Sequence, residues 1–195
     1  MMEILPITLE GARVRLEPLS MDHLDALCAV GLDENIWRWF RVAALDRPQM
    51  REFIEIALQD QAKGVTLPFA TVEAASGRVI GSTRFAAIER ADRNLEIGWT
   101  WIAPPWQRTA INTEAKYLML RHAFEQWGCI RVALKTDELN ERSRAAIARI
   151  GAKEEGRFRN HMIVSTGRIR NSVYFSMIAE EWPTAKQHLE AMLAR

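Results

Sequence analysis

One segment of the chain constrains the fold more than any other, because it reads as strand, polar loop, long helix and short strand in succession. Alternating and β-branched residues predict the strands over 94–102 and 130–135. Apolar residues at helical spacing predict the helix over about 112–127, with Glu114 and Lys116 on its solvated face. Such a crossover is right-handed, so the two strands should run parallel and the helix N-terminus should point at the end of the first strand.

The rest of the chain surrounds this crossover with further strands and helices. Turn residues predict an antiparallel meander before it and a strand pair after it. No Pro-, Gly- or Ser-rich linker divides the 195 residues, so we expect one domain over 1–195, with a core over about 11–178 and a C-terminal helix over about 181–193. The further predicted strands cover 12–19, 65–73, 78–88, 153–164 and 168–178, and the further helices cover 20–29, 47–63 and 140–150.

Composition argues against several classes of function. The 26 Lys and Arg residues nearly balance the 25 Asp and Glu residues, whereas nucleic-acid binders usually carry a basic excess. No apolar run approaches the roughly 20 residues of a membrane span. Two cysteines without a CxxC motif and four histidines without paired spacing indicate neither a disulfide framework nor a metal site. We therefore expect a cytoplasmic protein with no metal, no nucleic-acid partner and no membrane segment.

The polar loop before the long helix is the first candidate for chemistry. Free backbone N–H groups and the helix dipole favour a phosphate or pyrophosphate at such a helix start, and the loop adds a guanidinium and a hydroxyl. The alternative is structural: Thr109 or Asn112 caps the helix and Arg108 is a solvated charge. The candidate residues are Gln107, Arg108, Thr109, Ala110, Ile111 and Asn112.

A second motif, over 140–151, follows the crossover. Alone, Asn140 predicts a helix cap and Ser143 a residue of the first helical turn. With the loop, however, the order strand, Gln-x-x-Ala-x-Asn, helix, strand, Asn-x-x-Ser-x-x-x-Ile-x-Arg-Ile-Gly resembles the GNAT superfamily of acyl-CoA-dependent N-acetyltransferases. The resemblance covers 11–178. The segments that resemble the ribosomal-protein-alanine N-acetyltransferase (Rim-type) branch are Glu96-Ile97-Gly98-Trp99, Asn112-Thr113-Glu114-Ala115-Lys116 and Glu155-Gly156-x-Phe158-Arg159.

The resemblance implies a GNAT-like α/β (α+β) fold, with a central mixed, mostly antiparallel sheet that is flanked by helices and splayed at the cofactor site. The donor would be acetyl-CoA. A bulge near Gly98 would free strand backbone for the pantetheine arm, the loop would hold the pyrophosphate, and Asn140 and Ser143 would lie near the thioester. The family usually has glycine at Ala110, and glycine or alanine at Asn112, so Ala110 can serve only with a negative φ. The strand residues concerned are Trp99, Thr100, Trp101 and Ile102.

Acetyl transfer to an amine requires a neutral amine and a proton for the departing thiol. Glu96 is the candidate base, with a solvated carboxylate beside Arg93 as the alternative. Ser143 is the candidate proton donor, with a structural helix-turn serine as the alternative. Near pH 7.4 an α-amine is about 30% neutral and a lysine-type amine about 0.1%, so an α-amine needs less help from a base.

The acceptor site is less well defined by the sequence. Trp37 and Trp39 lie where such folds build a substrate lip, although aromatic residues there also serve as core. We expect a primary amine as the acceptor, either a protein N-terminal amine or a small molecule such as a polyamine, an antibiotic or an amino acid. The protein could form a homodimer. A non-catalytic acyl-CoA-binding domain is the alternative. The basic residues that could face an anionic or carboxylate-bearing acceptor, or form a solvated face, are Arg157, Arg159, His161 and Arg170.

Overall fold

The protein folds into one sheet with helices packed on both of its faces. The structure, a computed structural model, describes residues 2–194. Its strands are β1 (Leu9–Glu10), β2 (Val14–Pro18), β3 (Leu67–Glu73), β4 (Val79–Glu89), β5 (Asn94–Ile102), β6 (Arg131–Asp137), β7 (Lys153–Ile163) and β8 (Ile169–Ile178). Its helices are α1 (Leu24–Gly31), α2 (Glu34–Trp37), α3 (Arg47–Ala62), α4 (Ile111–Arg121), α5 (Glu141–Arg149) and α6 (Trp182–Leu193).

The strand order follows the chain except at its end. The order is β1-β2-β3-β4-β5-β6-β8-β7, and every neighbouring pair is antiparallel except β5 and β6. The mostly antiparallel sheet with flanking helices and the parallel crossover confirm the predicted fold class. The sequence did not predict that β8 lies between β6 and β7, which leaves β7 at the edge of the sheet.

The parallel contact between β5 and β6 is short. Asn94, Leu95 and Glu96 pair with residues 131–133, and beyond Glu96 the two strands separate. β5 then continues beside β4 alone, while β6 stays paired to β8. The sheet is therefore open between the carboxyl ends of β5 and β6.

Side-chain caps begin the helices α3 and α5, which flank the sheet. The Asp46 carboxylate accepts a hydrogen bond from the backbone N–H of Gln49 at 2.8 Å and begins α3. The Asn140 side chain accepts from the Ser143 N–H at 3.1 Å and begins α5, so the capping role that the sequence allows for Asn140 is present. The long helix α4 continues as a π-helix over His122–Gln126.

Apolar side chains are buried on both faces of the sheet. One cluster includes Leu118 on α4 and Leu189 on α6, and the other packs Trp37 and Trp101 against α1 and α3. Trp37 is 1% exposed, and its Nε1 donates to the carbonyl of Gly31 at 2.7 Å. Trp37 is therefore a core residue and not the substrate contact that we expected.

The solvated face predicted for α4 is wrong at Glu114. This side chain is buried, and its carboxylate accepts hydrogen bonds from the backbone N–H groups of Arg13 at 2.6 Å, Val14 at 2.7 Å and Ala12 at 3.2 Å. The turn into β2 needs an acceptor for these N–H groups because buried backbone donors are costly to leave unpaired. Glu114 supplies that acceptor and fixes α4 to β2.

Two properties of the described chain bear on its chemistry. Within residues 2–194, no helix is long and apolar enough to cross a bilayer, and no group of three His, Cys, Asp or Glu side chains could hold a metal ion. Cys28 and Cys129 are free thiols. Burial raises the pKa of the Cys129 thiol to about 11, so this residue is unreactive near neutral pH.

Candidate active site

A cavity of about 630 Å³ opens where β5 and β6 separate. Its walls come from α4 and α5 on one side, which we call the helix end, and from the 36–41 segment and the β7–β8 hairpin on the other, which we call the hairpin end. The predicted site residues that line it are Trp39, Glu96, Trp99, Thr100, Trp101, Ile102, Gln107, Arg108, Thr109, Asn112, Asn140 and Ser143. The predicted site residues that do not line it are Trp37, Ala110, Ile111, Arg159 and His161.

The expected bulge is present in β5, but its left-handed residue is Trp99 and not Gly98. Ser82 pairs with Trp101 and Arg84 pairs with Gly98, so one residue of β4 faces two residues of β5. Trp99 has a φ of 54°, a conformation that costs a residue with a Cβ about 1–3 kcal/mol. Gly98 has a different role, since a Cβ there would lie 2.7 Å from Oε1 of Glu96.

A buried arginine holds the Trp99 side chain in place. The Arg84 guanidinium lies 4.6 Å from the Trp99 ring centroid and 4.5 Å from that of Phe53. Its Nη2 donates to the Phe53 carbonyl at 3.3 Å, and burial lowers the pKa of Arg84 to about 10. These two cation–π contacts fix the Trp99 ring and offset part of the backbone strain at this residue.

The loop at the helix end adopts a conformation suited to an anion. Arg108 carries the left-handed backbone, with a φ of 63°, whereas Ala110 has a φ of −71°. Ala110 therefore meets the condition set for a residue other than glycine at its position. The backbone N–H groups of Asn112 and Thr113 have no acceptor within residues 2–194, and Oδ1 of Asn112 is buried without a partner. These polar groups all lie in the first turn of α4, the positive end of its dipole.

Two arginines of α5, to which no local sequence signal assigned a role, complete the helix end. Nη1 of Arg142 donates to Oε1 of Gln107 at 2.6 Å, and Nη2 of Arg149 donates to Oγ1 of Thr113 at 3.0 Å. Both line the cavity with Arg108, and within residues 2–194 none of the three has a carboxylate at ion-pair distance. The i, i+7 spacing of Arg142 and Arg149 on a predicted helix was the signal that could have placed them on one face.

Lys116 also corrects the sequence prediction, because it is buried at the cavity wall. Its Nζ donates to Oγ1 of Thr100 in the bulge at 2.6 Å and to Oγ1 of Thr83 at 3.4 Å. In the described chain, no carboxylate lies within ion-pair distance of this amine. Burial therefore lowers the pKa of Lys116 from 10.5 to about 7. Lys116 connects α4 to the bulge and is close to half-protonated at neutral pH.

Replacement of Lys116 by methionine is expected to change how stability depends on pH. The folded-state pKa of about 7 lies below the ordinary 10.5, so between these values the unfolded chain binds more protons than the folded chain. Wild-type stability should therefore rise with pH across this window, by at most about 1.4 kcal/mol per pH unit, and Lys116→Met should lose that rise. Urea unfolding between pH 7 and 10 measures it. Lys63→Met, at an exposed site, is the control, and equal slopes in all three proteins would contradict the assignment.

The candidate base Glu96 lies at the hairpin end and is not a solvated carboxylate. Its side chain is 10% exposed, and its Oε2 accepts a hydrogen bond from Nζ of Lys135 at 2.6 Å. Its Oε1 has no hydrogen-bond partner within residues 2–194, and the residue lines the cavity. One carboxylate oxygen is therefore held in an ion pair and the other is available to a molecule in the cavity.

Of the residues expected to bind the acceptor, Trp39 and Arg170 line the hairpin end, whereas Arg157, Arg159 and His161 line a separate, shallow surface depression. His161 is still close to the hairpin end, because its Nδ1 lies 2.9 Å from the Oγ of Ser172, which also contacts Arg170. Burial is the largest of the influences that lower the pKa of His161. The ring is therefore neutral at physiological pH and is not a cationic contact for an anion.

Comparison with known proteins identifies this arrangement. Residues 13–153 match the family described as acetyltransferase (GNAT) domain. YdaF of Bacillus subtilis, a candidate ribosomal N-acetyltransferase by name, is 34% identical over 110 residues, a segment that spans 56% of this chain and 59% of YdaF. The chain thus covers less than two thirds of that relative.

Solved structures share the whole fold. A GCN5-related N-acetyltransferase from Brucella melitensis is 33% identical with a TM-score of 0.89, over 96% of this chain and 86% of that chain. RimJ of Mycobacterium smegmatis, solved in complex with a CoA disulfide, is 24% identical with a TM-score of 0.84, over 96% of this chain and 95% of that chain. The likeness to RimJ is one of fold.

Proposed function

Because the chain belongs to the GNAT acetyltransferase family, we propose that it transfers the acetyl group of acetyl-CoA to a primary amine by direct attack, with a protein N-terminal amine as the acceptor. The observation that carries this proposal is the charge distribution of the cavity. Seven of its lining residues are Lys or Arg, and one is a carboxylate, Glu96. The seven are Arg41, Arg108, Lys116, Lys135, Arg142, Arg149 and Arg170.

The helix end supplies what a pyrophosphate needs. Free N–H groups at the start of α4 and the guanidinium groups of Arg108, Arg142 and Arg149 offer charge-assisted hydrogen bonds in one place. Next to them, beyond Glu96, the edge of β5 that faces β6 has no neighbouring strand, while its other edge stays paired to β4. An extended chain with amide groups, such as pantetheine, could pair with that edge as a strand would.

The other residues of the cavity suit the transfer step. Glu96 can accept the proton of an incoming ammonium group or of a water bound to it. The nitrogen then forms a bond to the thioester carbon and loses its second proton to solvent, the carbon–sulfur bond breaks, and the sulfur takes up a proton. Ser143 lines the same cavity and is the candidate source of that proton. Backbone N–H groups freed by the bulge at Trp99 are candidates to polarise the carbonyl.

Two considerations support a protein N-terminal amine. YdaF is named as a ribosomal N-acetyltransferase, and ribosomal proteins present N-terminal amines. In addition, a larger fraction of an α-amine than of a lysine-type amine is neutral near pH 7.4, so an α-amine needs less help from a base. A small-molecule amine remains the competing acceptor. We also propose a cytoplasmic location, in keeping with the free thiols of Cys28 and Cys129.

Acetyl-CoA and CoA are expected to raise the melting temperature of the protein. A ligand that binds only the folded state stabilises it by about 2.7 kcal/mol at a concentration of about 100 times Kd. Arg149→Met should weaken CoA binding by about 1.5–3 kcal/mol, the value of a hydrogen bond to a charged group. Arg144→Met, on the same helix but outside the cavity and paired with Glu154, should leave affinity unchanged. Thermal shift and calorimetric titration measure both effects.

The outcomes of this experiment separate the candidate functions. No shift at millimolar CoA would remove the donor from the proposal. Tight CoA binding together with no thiol release across N-terminal peptides, lysine-type amines and polyamines would instead indicate a non-catalytic acyl-CoA-binding domain.

A further inference from the structure

The hairpin end of the cavity contains a buried arginine that the transfer chemistry does not use. Arg170 is 7% exposed and lines the cavity. Its Nε donates to the Oγ of Ser172 at 2.8 Å, and its Nη1 donates to the carbonyl of Trp39 at 2.9 Å. Two contacts on different elements therefore fix the plane of the guanidinium.

The third nitrogen of Arg170 is left without a protein partner. Within residues 2–194, Nη2 has no hydrogen-bond acceptor, yet it is not among the polar atoms that are sealed from solvent. Since the rest of the side chain is buried and the residue lines the cavity, the exposed part of the guanidinium faces the cavity. A buried charged donor that faces a cavity favours an anionic partner there.

The neighbouring charges do not neutralise Arg170. Lys135 is paired with Glu96, and Arg168 is paired with Asp137. In the part of the chain that the structure describes, Arg170 and the exposed Arg41 have no carboxylate at ion-pair distance. After these pairings the hairpin end keeps an uncompensated positive charge, which favours an anion on the molecule bound there.

We infer that Arg170 binds a carboxylate of the acceptor, so that the substrates are amines that carry a carboxylate a few bonds from the reacting nitrogen. Arg170 and Glu96 both line this cavity. The carboxylate would bind at Arg170 while the amine lies at Glu96. The inference rests on the proposed function. Two sources share this chemistry: an acidic side chain next to a protein N-terminus, and the α-carboxylate of a free amino acid.

The test uses pairs of acceptors that differ only in this group. The first pair is the amidated peptides Ala-Asp-Ala-Ala and Ala-Asn-Ala-Ala, and the second is alanine and alaninamide. For each pair, kcat/KM of the acceptor with the carboxylate is divided by kcat/KM of its neutral partner. This ratio is measured for the wild type and for Arg170→Gln, because the comparison between the two proteins cancels differences in amine reactivity. Arg51→Gln, an exposed residue of α3 outside the cavity, is the matched control.

Arg170→Gln is expected to lower the ratio by about 10–100-fold for one pair, mainly through KM, and to leave the neutral member of that pair unchanged. A loss in the peptide pair identifies the acidic side chain as the source, and a loss in the alanine pair identifies the α-carboxylate. Equal ratios in the wild type and the variant for both pairs would overturn the inference while leaving the transferase proposal intact.

Two further measurements keep the inference testable under other outcomes. If no acceptor is acetylated, the proposed function fails, and binding is then measured by the thermal shift that the Asp and Asn peptides cause with CoA present. Equal shifts by the two peptides in the wild type overturn the inference. A shift that only the Asp peptide causes, and that Arg170→Gln abolishes, supports it. If Arg170→Gln does not fold, Arg41→Gln and the salt dependence of the wild-type ratio replace it. A ratio that neither change reduces contradicts the inference.

Discussion

Replacement of Glu96 by glutamine is expected to slow acetyl transfer by about 10²–10⁴-fold, the usual contribution of a general base. Glutamine keeps the size of the side chain, and its amide oxygen can still accept from Lys135, so the main change is the loss of basicity. The affinity for acetyl-CoA should not change. An α-amine should be affected less than a lysine-type amine, and raising the pH should partly restore the rate, because more of the acceptor is then neutral.

The measurement is a pH–rate profile of wild type and Glu96→Gln with one acceptor of each kind. Glu154→Gln is the matched control, because Glu154 is exposed, pairs with Arg144 and does not line the cavity. If Glu96→Gln lowers the rate by less than about threefold on both acceptors, the loss is far smaller than the contribution of a general base, and Glu96 does not have this role.

Replacement of Glu114 by alanine is expected to lower the free energy of unfolding by about 3–5 kcal/mol. The change removes the acceptor of three backbone N–H groups at the turn into β2, of which one, that of Val14, makes a fully buried hydrogen bond, and it leaves them without this partner. Since small domains are stable by about 5–15 kcal/mol, this is a large share of the total. Glu114 does not line the cavity, so the effect should be one on folding.

Urea unfolding of wild type, Glu114→Ala and Glu154→Ala tests this expectation. Glu154→Ala removes an exposed carboxylate and should stay within about 0.5 kcal/mol of wild type. A similarly small loss in Glu114→Ala would mean that water replaces the carboxylate at no cost, and the proposed connection between α4 and β2 would be discarded.

Local signals predicted most elements of the fold, because they depend on residues close in sequence. The strand Asn94–Ile102 has the predicted bounds, and the helix predicted over 47–63 is present as α3. The position of β8 between β6 and β7 depends on contacts between segments far apart in the chain, which no local pattern encodes. The burial of Glu114 and Lys116 was missed for a related reason, since helical periodicity assigns charged residues to water without knowledge of backbone donors or cavities elsewhere.

The sequence predicted the parts of the candidate site that a local motif defines. It did not predict the parts that depend on packing between distant segments. The loop 107–112 and the helix start at Asn140 followed from the order of strand, loop and helix. The left-handed conformation of Trp99 did not, because it depends on a cation–π contact with Arg84 from the neighbouring strand. Arg170 was one of several basic residues in the sequence, and only its hydrogen bonds to Ser172 and Trp39 separate it from the exposed ones.

The short parallel contact between β5 and β6 has a consequence for how the protein opens. Backbone hydrogen bonds join the two parts of the sheet over three residue pairs, whereas β6 and β8 pair over seven. Local opening along this line therefore costs less than separation of the antiparallel strands. A donor bound in the gap would contact both parts and raise that cost. The abundance of such a protein in a cell would then follow the supply of acetyl-CoA, because the unliganded form is the one more exposed to proteases.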